Sequence, residues 1–435
     1  MAPAPLLGAL LLLQAAALGL VEELPDSVSL LQTRAVTQRA PPREGGSPAA
    51  PPREAAKGAA VPPKEDFEEA PSPMATRGIQ SVFIDLDLPP RQRWKSYFSD
   101  PDLQKLMVHG LRRFEHSAIS PFLSHPNITL DDELTEELEG IVEAVGHPAV
   151  NMTSLLFREL GYERGSTLGD GQGCSAILVS QPDGTVLHGR NLDVNSNDHN
   201  QAGAQNIVEV TYTRKGVPLF VTTGTHGNVG AHTGYRFGGF SIAQNTRLDG
   251  NNAADNVAAA ARGNRAFMFV VRRVLQDMET FSDAVHAFSS TPLMAPMYFT
   301  VAGIGPNEGA LITRGRDGSP TPWANAVLLN PSIDRWFIAQ TNEDTFKREK
   351  RDPRRMMANS ALQAFGRSGM SMNAVQHVLL MQPVRNCLTI FTWLVQPNTE
   401  QRRTIVNDEI PYCRKWIQEV PEEFKKQMKQ VSGQL

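Results

Sequence analysis

One segment of the chain combines a nucleophile with charged groups at spacings that could support covalent catalysis. Residues 169–193 read GDGQGCSAILVSQPDGTVLHGRNLD, which places Cys174, Arg190 and Asp193 close together in sequence. A cysteine thiolate is a strong nucleophile, but a free thiol has a pKa of about 8.5 and needs a base or a neighbouring cation to ionise. The segment therefore indicates nucleophilic attack on a carbonyl group as its candidate chemistry.

The base for this thiol has two candidates. His188 lies two residues before Arg190, on the same face of a predicted strand, but the spacing does not assign it as a base rather than as a packed histidine. The other candidate is the α-amine of Cys174, whose pKa is about 8 in model peptides and which exists only if the chain is cut before this residue. Gly173 suits such a cut, because glycine permits the strained backbone in which the thiol attacks the preceding carbonyl.

A hairpin would bring these groups together. The segment is predicted to form two strands joined by a turn at residues 182–184. If the turn is centred between its first two residues, the residue numbers of each pair add up to about 365, and Cys174 faces approximately Asn191. A longer turn shifts this pairing by a residue or two. Arg190 and Asp193 then lie within reach of the thiol at one sheet end.

Each of these residues also has a purely structural interpretation. Cys174 alone would be a buried free cysteine, and Arg190 with Asp193 would be an ion pair at a sheet edge. A phosphate-binding loop is excluded for GDGQG, because such a loop leads into a helix and this one leads into a predicted strand.

The surrounding elements are a mixture of strands and helices, predicted from apolar periodicity. The predicted strands are 81–88, 175–180, 185–187, 207–213, 219–223, 240–243, 298–303, 309–313 and 336–340. The predicted helices are 103–114, 131–145, 258–277, 282–288, 356–365 and 420–431. The hairpin turns favour an α+β fold of antiparallel sheets covered by helices over a doubly wound parallel sheet.

Composition excludes several classes of protein. The 435 residues are 41% hydrophobic and 20% charged, as is typical of a globular protein with a sizeable core. The net charge of −4 does not indicate a nucleic-acid partner, which would need a concentrated basic field. Cys174, Cys387 and Cys413 are too few for a disulfide scaffold and lack zinc-site spacing, and no HExxH motif occurs, so no metal or other cofactor is expected.

The first 77 residues are predicted to lie outside the folded part. Residues 1–20 contain an apolar run that is short for a membrane span and fits a signal peptide, although the missing Lys or Arg before it leaves an uncleaved anchor open. Residues 21–77 are rich in Pro, Ala and charge and are predicted to be a disordered linker or propeptide. Secretion would make the sequons at Asn127 and Asn151 glycan acceptors.

Five groups of residues together resemble one enzyme family. Residues 174–177 with 188–193 resemble the start of the catalytic chain of acid ceramidase and N-acylethanolamine-hydrolysing acid amidase, which are choloylglycine-hydrolase-like members of the N-terminal nucleophile hydrolases. The other groups are 83–87 with 89–94, 227–230 with 233–234, 295–299 with 308–309 and 312–314, and 340–342 with 352–355. They follow in family order from about residue 78 to residue 392.

The resemblance implies a proenzyme that cuts itself between Gly173 and Cys174. An α chain, 78–173, would stay associated with a β chain, 174–435, in a four-layer αββα sandwich. Cys174 would be the nucleophile through its thiol and the base through its freed amine, and Asp193 would orient that amine.

The resemblance also implies roles for residues outside the hairpin. Arg190 would lie beside the thiol, and Asn342 would donate to the oxyanion of the tetrahedral intermediate. Arg354 would contact the catalytic residues rather than the substrate. Asn245 would lie near the bond that is cut in the substrate, and Gly230 on the substrate side.

The chain departs from the family pattern in two places. Thr246 stands where relatives carry a glutamate before an arginine, so a carboxylate expected near the nucleophile is absent. No cysteine precedes Cys174, so the disulfide that ties the two chains of acid ceramidase is missing, and packing alone is expected to hold them. Cys387 and Cys413 could pair or stay free.

The function implied is a secreted or lumenal amidase that hydrolyses a fatty-acyl amide through an acyl-thioester, with ceramide as the preferred substrate. N-acylethanolamines or other acylated amines, such as bile-salt-like conjugates, are the first alternative, and a lipid-binding homologue without turnover is the second. Lipid substrates imply transient contact with a membrane surface, and an activator protein that presents the lipid stays open. The relatives suggest an acidic compartment, lysosomal or extracellular.

Overall fold

The computed structural model describes residues 79–111, 130–163, 173–194, 206–318, 326–346, 353–386 and 388–407. Several predictions concern residues outside these ranges. They are the signal peptide, the linker, the Asn127 sequon, residues 169–172, Asp352, Cys387, Cys413 and the helix at 420–431.

Two sheets form the centre of the described structure. The strands are β1 (Gln80–Asp85), β2 (Cys174–Ser180), β3 (Val186–Asp193), β4 (Ile207–Arg214), β5 (Val217–Thr225), β6 (Thr233–Arg236), β7 (Phe240–Thr246), β8 (Met297–Gly303), β9 (Gly309–Arg314), β10 (Ala326–Leu328), β11 (Phe337–Gln340), β12 (Thr389–Gln396) and β13 (Gln401–Val406). The large sheet has the order β1-β4-β5-β6-β7-β8-β9-β10 and the small sheet the order β11-β2-β3-β12-β13. Neighbouring strands pair antiparallel except β1 with β4, which are parallel.

Helices cover the outer faces of both sheets. The described α-helices are α1 (Pro101–Leu111), α2 (Asp132–Val145), α3 (Met152–Glu159), α4 (Ala253–Ala261), α5 (Phe267–Asp277), α6 (Phe281–Ser290), α7 (Pro353–Phe365) and α8 (Met372–Leu380). Helices α5 and α6 pack on the large sheet, α7 and α8 pack on the small sheet, and β2 and β3 contact β7, β8 and β9 across the middle. The predicted αββα sandwich of an α+β fold is confirmed.

Apolar side chains fill all three interfaces between these layers. Leu362, Val375 and Leu379 pack against the outer face of the small sheet, and α5 and α6 bury their apolar faces on the large sheet. Between the sheets, Cys174 belongs to a buried cluster with Leu192 and Trp393. The candidate nucleophile therefore lies at the end of β2, inside the sandwich. None of the described helices is both long and apolar enough to cross a bilayer.

The single helix predicted for 258–277 is wrong. The chain forms two helices there, α4 and α5, separated by a turn at Gly263 with a φ of +86°. Arg265 in this turn makes a parallel β-bridge with Leu293. The left-handed glycine ends the first helix, because an α-helix cannot continue through a positive φ.

Candidate active site

The hairpin of β2 and β3 forms as predicted, with its register shifted by one residue. Cys174 pairs with Leu192, and Ser175 pairs with Asn191. The loop contains three residues, 182–184, because the Gln181 N–H donates to the Thr185 carbonyl at 2.8 Å. A three-residue loop is a common hairpin connection, and it accounts for the shift.

The thiol of Cys174 accepts a hydrogen bond from a buried cation. Arg190 Nη2 lies 3.0 Å from Cys174 Sγ, and both residues are at most 1% exposed. Arg190 is anchored across the sandwich, because Nη1 donates to Thr233 Oγ1 at 2.5 Å and to the His232 carbonyl at 3.4 Å. Burial raises the pKa of the Cys174 thiol, and the guanidinium of Arg190 opposes that rise. The cation thus favours the thiolate in a site that otherwise disfavours charge.

The peptide bond before Cys174 is held on both sides. The Gly173 carbonyl accepts from the Asp193 N–H at 3.0 Å, and the Cys174 N–H donates to Asn342 Oδ1 at 2.8 Å. A Cβ atom at Gly173 would lie 2.2 Å from Arg354 Nη1, so a side chain there would displace the guanidinium. The bond predicted to be cut is therefore held by hydrogen bonds to two of the predicted site residues, Asp193 and Asn342, and Arg354 lies against Gly173.

The carboxylate of Asp193 is fully buried and accepts three hydrogen bonds. The donors are Arg354 Nη1 at 2.9 Å, Asn386 Nδ2 at 2.7 Å and Thr389 Oγ1 at 2.6 Å. Burial raises the pKa of Asp193 to about 6, against the opposing effect of Arg354 and the two neutral donors. Asn386 and Thr389 were not predicted, since nothing in their sequence context separates them from other polar residues.

Arg354 and Asn342 complete the cluster around the bond. Arg354, in the first turn of α7, donates from Nη2 to Asn342 Oδ1 at 2.8 Å. Asn342 Nδ2 donates to the Thr246 carbonyl at 2.8 Å. In the uncut chain, the Asn342 amide thus holds the Cys174 nitrogen, and its role at an oxyanion stays a prediction.

Asn245 and Gly230 hydrogen-bond to groups other than the thiol. Asn245 Nδ2 donates to the carbonyls of Gln340 and Thr341, at 3.0 and 3.2 Å. Asn245 Oδ1 and Thr246 Oγ1 are buried without a hydrogen-bond partner among the described residues, and nothing in the structure explains the threonine. Neither Asn245 nor Gly230 has a hydrogen bond to Cys174 among the described contacts, so their substrate roles stay predictions.

His188 does not contact the thiol. Its ring nitrogens bond to Ser241 Oγ at 2.8 Å and Thr300 Oγ1 at 3.0 Å, both on the large sheet. Burial, with a smaller contribution from the Arg190 charge, lowers the pKa of His188 to about 3. This environment is that of a neutral packed histidine between the sheets.

A buried glutamate from the predicted α chain supports the loop before β6. Glu159 Oε1 accepts from the Val229 N–H and Oε2 accepts from the Gly230 N–H, each at 3.0 Å. Gly230 leaves no room for a side chain, because a Cβ atom would lie 2.7 Å from Glu159 Oε2. This loop leads directly to His232 and Thr233, which hold Arg190.

Ion pairs also join the two predicted chains, so the expectation of packing alone is wrong. Glu137 in the predicted α chain accepts from Arg272 Nη2 in the predicted β chain at 3.2 Å, with both side chains fully buried, and Asp131 pairs with Arg273 Nε at 3.2 Å. Within the predicted α chain, Glu137 also accepts from Arg93 Nη1 at 2.6 Å. Strand β1 adds a parallel edge to the large sheet through β4. The region before the predicted cut is therefore interlocked with the region after it.

Comparison with known proteins gives the family. No protein-family model matches the chain. The N-acylethanolamine-hydrolysing acid amidase of Caenorhabditis elegans is 32% identical over 324 residues, which cover 72% of this chain and 88% of that protein. The chain belongs to the acid ceramidase and N-acylethanolamine-hydrolysing acid amidase family. Acid ceramidase of Mus musculus is 28% identical over 363 residues, which cover 77% of this chain and 87% of that protein.

A solved structure of the Caenorhabditis elegans acid amidase covers 57% of this chain and 100% of its own, with 30% identity and a TM-score of 0.47. In this member of the acid ceramidase and acid amidase family, the fold brings together Cys174, Arg190 and Asp193 from the hairpin with Asn342 and Arg354 from elsewhere. No group of three or more His, Cys, Asp or Glu side chains in the described part of this chain could hold a metal ion.

Proposed function

We propose that the chain is a self-processing cysteine amidase that hydrolyses the amide bond of N-acylated lipids. The observation that carries the proposal is the Cys174 thiol, 3.0 Å from the Arg190 guanidinium and directly next to a peptide bond held from both sides. Membership of the acid ceramidase and acid amidase family supports the same chemistry. The proposed α chain is 78–173 and the proposed β chain is 174–435.

The first reaction is the cut between Gly173 and Cys174. The thiolate attacks the Gly173 carbonyl carbon, and the Asp193 N–H, 3.0 Å from the carbonyl oxygen, stabilises the negative charge that develops there. The C–N bond breaks and the Cys174 nitrogen takes a proton, which leaves a thioester and a free α-amine. Water then hydrolyses the thioester to the Gly173 carboxylate and the Cys174 thiol.

The second reaction uses the freed end on the substrate. The α-amine of Cys174 takes the thiol proton, and the thiolate attacks the acyl carbonyl carbon of the lipid amide. The resulting ammonium returns the proton to the leaving amine, and water hydrolyses the acyl-thioester to the fatty acid. Arg190 stabilises the thiolate, Asp193 orients the amine, and Asn342 donates to the oxyanion of the tetrahedral intermediate. Arg354 holds Asp193 and Asn342 in place through its two hydrogen bonds.

The substrate proposed is ceramide, which would give sphingosine and a fatty acid. N-acylethanolamine is the second candidate, favoured by the 32% identity with an N-acylethanolamine-hydrolysing acid amidase. A side-by-side assay with ceramide and palmitoylethanolamide decides between them. Release of fatty acid from neither substrate, by a protein that has cut itself, would support the alternative of a lipid-binding homologue without turnover.

The setting proposed is the secretory pathway, with a lysosomal or extracellular acidic site of action. Family members named acid ceramidase and acid amidase support this setting. Asn151, a proposed glycan acceptor with Asn127, is exposed at the start of α3, where its Oδ1 caps the Ser154 N–H at 3.0 Å. Transient contact with a membrane surface, with or without a lipid-presenting activator protein, would deliver the substrate.

The experiment that tests this function measures fatty-acid release from both lipids by the wild-type protein and by Cys174→Ala. The proposal predicts hydrolysis of at least one lipid by the wild type and none by the variant. Hydrolysis at an equal rate by Cys174→Ala would overturn it.

A further inference from the structure

A short turn before β12 is built around two polar residues, Asn386 and Thr389. The Asn386 N–H donates to Thr389 Oγ1 at 3.0 Å, and the Thr389 N–H donates to the Asn386 carbonyl at 3.1 Å. The Leu388 N–H donates to Asn386 Oδ1 at 2.8 Å. These bonds fix both side chains, and the Leu388 contact defines which end of the Asn386 amide is the donor.

The two side chains direct their remaining donors at one carboxylate. Thr389 Oγ1 donates to Asp193 Oδ1 at 2.6 Å, and Asn386 Nδ2 donates to Asp193 Oδ2 at 2.7 Å. The turn is also tied to β3, because Thr389 pairs with Asp193 in the sheet and the Val194 N–H donates to the Leu388 carbonyl at 2.9 Å. Each carboxylate oxygen therefore has a neutral donor whose position is set by the backbone.

The charged and titratable groups around Asp193 lie on its own strand, β3, and on two other elements. Arg354 on α7 contacts Oδ2 directly at 2.9 Å, while Arg190 on β3 and the Cys174 thiol on β2 act without direct contact. Asp193 is 0% exposed, so its ionised form depends on these cations and on the two neutral donors. A lost donor favours the protonated form, because hydrogen bonds to a carboxylate stabilise its charge.

We propose that Asn386 and Thr389 are positioning residues that keep Asp193 ionised and in one orientation beside the Gly173–Cys174 bond. The expected effect on catalysis rests on the proposed function, whereas the effect on the Asp193 carboxylate does not. A rigid turn is suited to this task, since it holds two donors at the carboxylate without losing side-chain entropy during the reaction.

The test compares three variants in the same strand. Thr389→Val removes the hydroxyl at nearly constant shape, and Thr389→Ser restores it. Thr392→Val is the matched control, because Thr392 Oγ1 is equally buried but donates to Asn191 Oδ1 at 2.8 Å and not to Asp193. For each protein, the carboxyl-carbon NMR signal of Asp193, assigned by its absence in Asp193→Asn, is titrated, and the pH profile of fatty-acid release is measured in parallel.

The proposal predicts that Thr389→Val raises the titration midpoint of Asp193 by about one pH unit. The acidic limb of the activity profile is expected to move to higher pH by the same amount. Thr389→Ser and Thr392→Val are expected to keep the midpoint and the pH profile of the wild type. An unchanged midpoint in Thr389→Val, or an equal shift in Thr392→Val, would overturn the proposal. If the Asp193 midpoint shifts in Thr389→Val but the wild-type protein hydrolyses no lipid amide, the proposed function is contradicted and the positioning role is supported.

Discussion

Arg190 reaches the Cys174 thiol through Nη2 at 3.0 Å, while its Nη1 is fixed 2.5 Å from Thr233 Oγ1 on the opposite sheet. The guanidinium is 0% exposed and makes no ion pair with a carboxylate among the described residues. A buried cation without such a partner favours an anion at the neighbouring sulfur. The contact therefore links the packing of the two sheets to the reactivity of the nucleophile.

Replacing Arg190 with methionine is expected to reduce the reactivity of Cys174. Loss of the cation raises the pKa of the thiol further, so alkylation by iodoacetamide at neutral pH should slow by about tenfold. Peptide mass spectrometry measures the rate at Cys174 separately from Cys387 and Cys413. Arg190→Lys should retain part of the rate, and an unchanged rate in the methionine variant would contradict a direct electrostatic role.

Replacing Gly173 with alanine is expected to slow self-cleavage by at least roughly tenfold, because the reacting groups lose their alignment. The new Cβ atom would lie 2.2 Å from Arg354 Nη1, which must then leave Asp193 and Asn342. Gly110→Ala is the matched control, since a Cβ atom at Gly110 meets no atom within 4 Å. Time courses on denaturing gels give both rates, and equal rates would show that the site tolerates the side chain.

Replacing His188 with glutamine tests whether this histidine is the base and whether it destabilises the fold in acid. Self-cleavage should persist, because His188 bonds to Ser241 and Thr300 rather than to the thiol. Burial lowers the pKa of His188 to about 3. As the pH falls below about 6.5, the ordinary pKa of histidine, His188 therefore takes up a proton in the unfolded chain but not in the folded chain.

The wild type should therefore lose about 2 kcal/mol of unfolding free energy through His188 between pH 7 and pH 5. Glutamine removes that loss, so the pH dependence of urea denaturation should be flatter in the variant. Abolished cleavage in a folded His188→Gln protein would instead identify the histidine as a required group.

The fold and the candidate site were predictable from the sequence where contacts are local. Cys174, Arg190 and Asp193 lie on one hairpin, so strand pairing alone brings them together. The register shifted by one residue because turn length is set by backbone geometry at Gly184, where φ is +90°, and not by composition. The helix predicted for 258–277 divides at Gly263 for a similar local reason.

The missed features depend on long-range contacts. Asn386 and Thr389 reach Asp193 from a distant segment. Strand β12 was not predicted because its sequence TIFTWLVQ is buried on both faces and lacks alternation. Ion pairs such as Glu137 with Arg272 join segments 135 residues apart. Single-sequence patterns carry no signal for such pairs.

Replacing Glu137 with glutamine is expected to weaken the association of the two proposed chains. The change leaves the buried Arg272 and Arg93 without their shared carboxylate, a loss of about 3–5 kcal/mol in unfolding free energy. Urea denaturation measures the loss, and size-exclusion chromatography of the cut protein detects release of the α chain.

The matched control for this variant is Glu143→Gln, on the same helix. Glu143 pairs with Arg91 at 2.7 Å, but their side chains are 62% and 47% exposed, so the loss should be below about 1 kcal/mol. Equal losses in the two variants would contradict a special role for the buried pair.

In the proposed mechanism, Cys174 acts as the first residue of a newly formed chain. N-terminal sequencing of the purified, active protein, combined with its intact mass, tests this claim most directly. The expected result is a terminus reading Cys-Ser-Ala-Ile in the wild type and a single uncut chain in Cys174→Ala. A wild-type protein that hydrolyses lipid amides at full rate while residue 174 remains inside an uncut chain would contradict it.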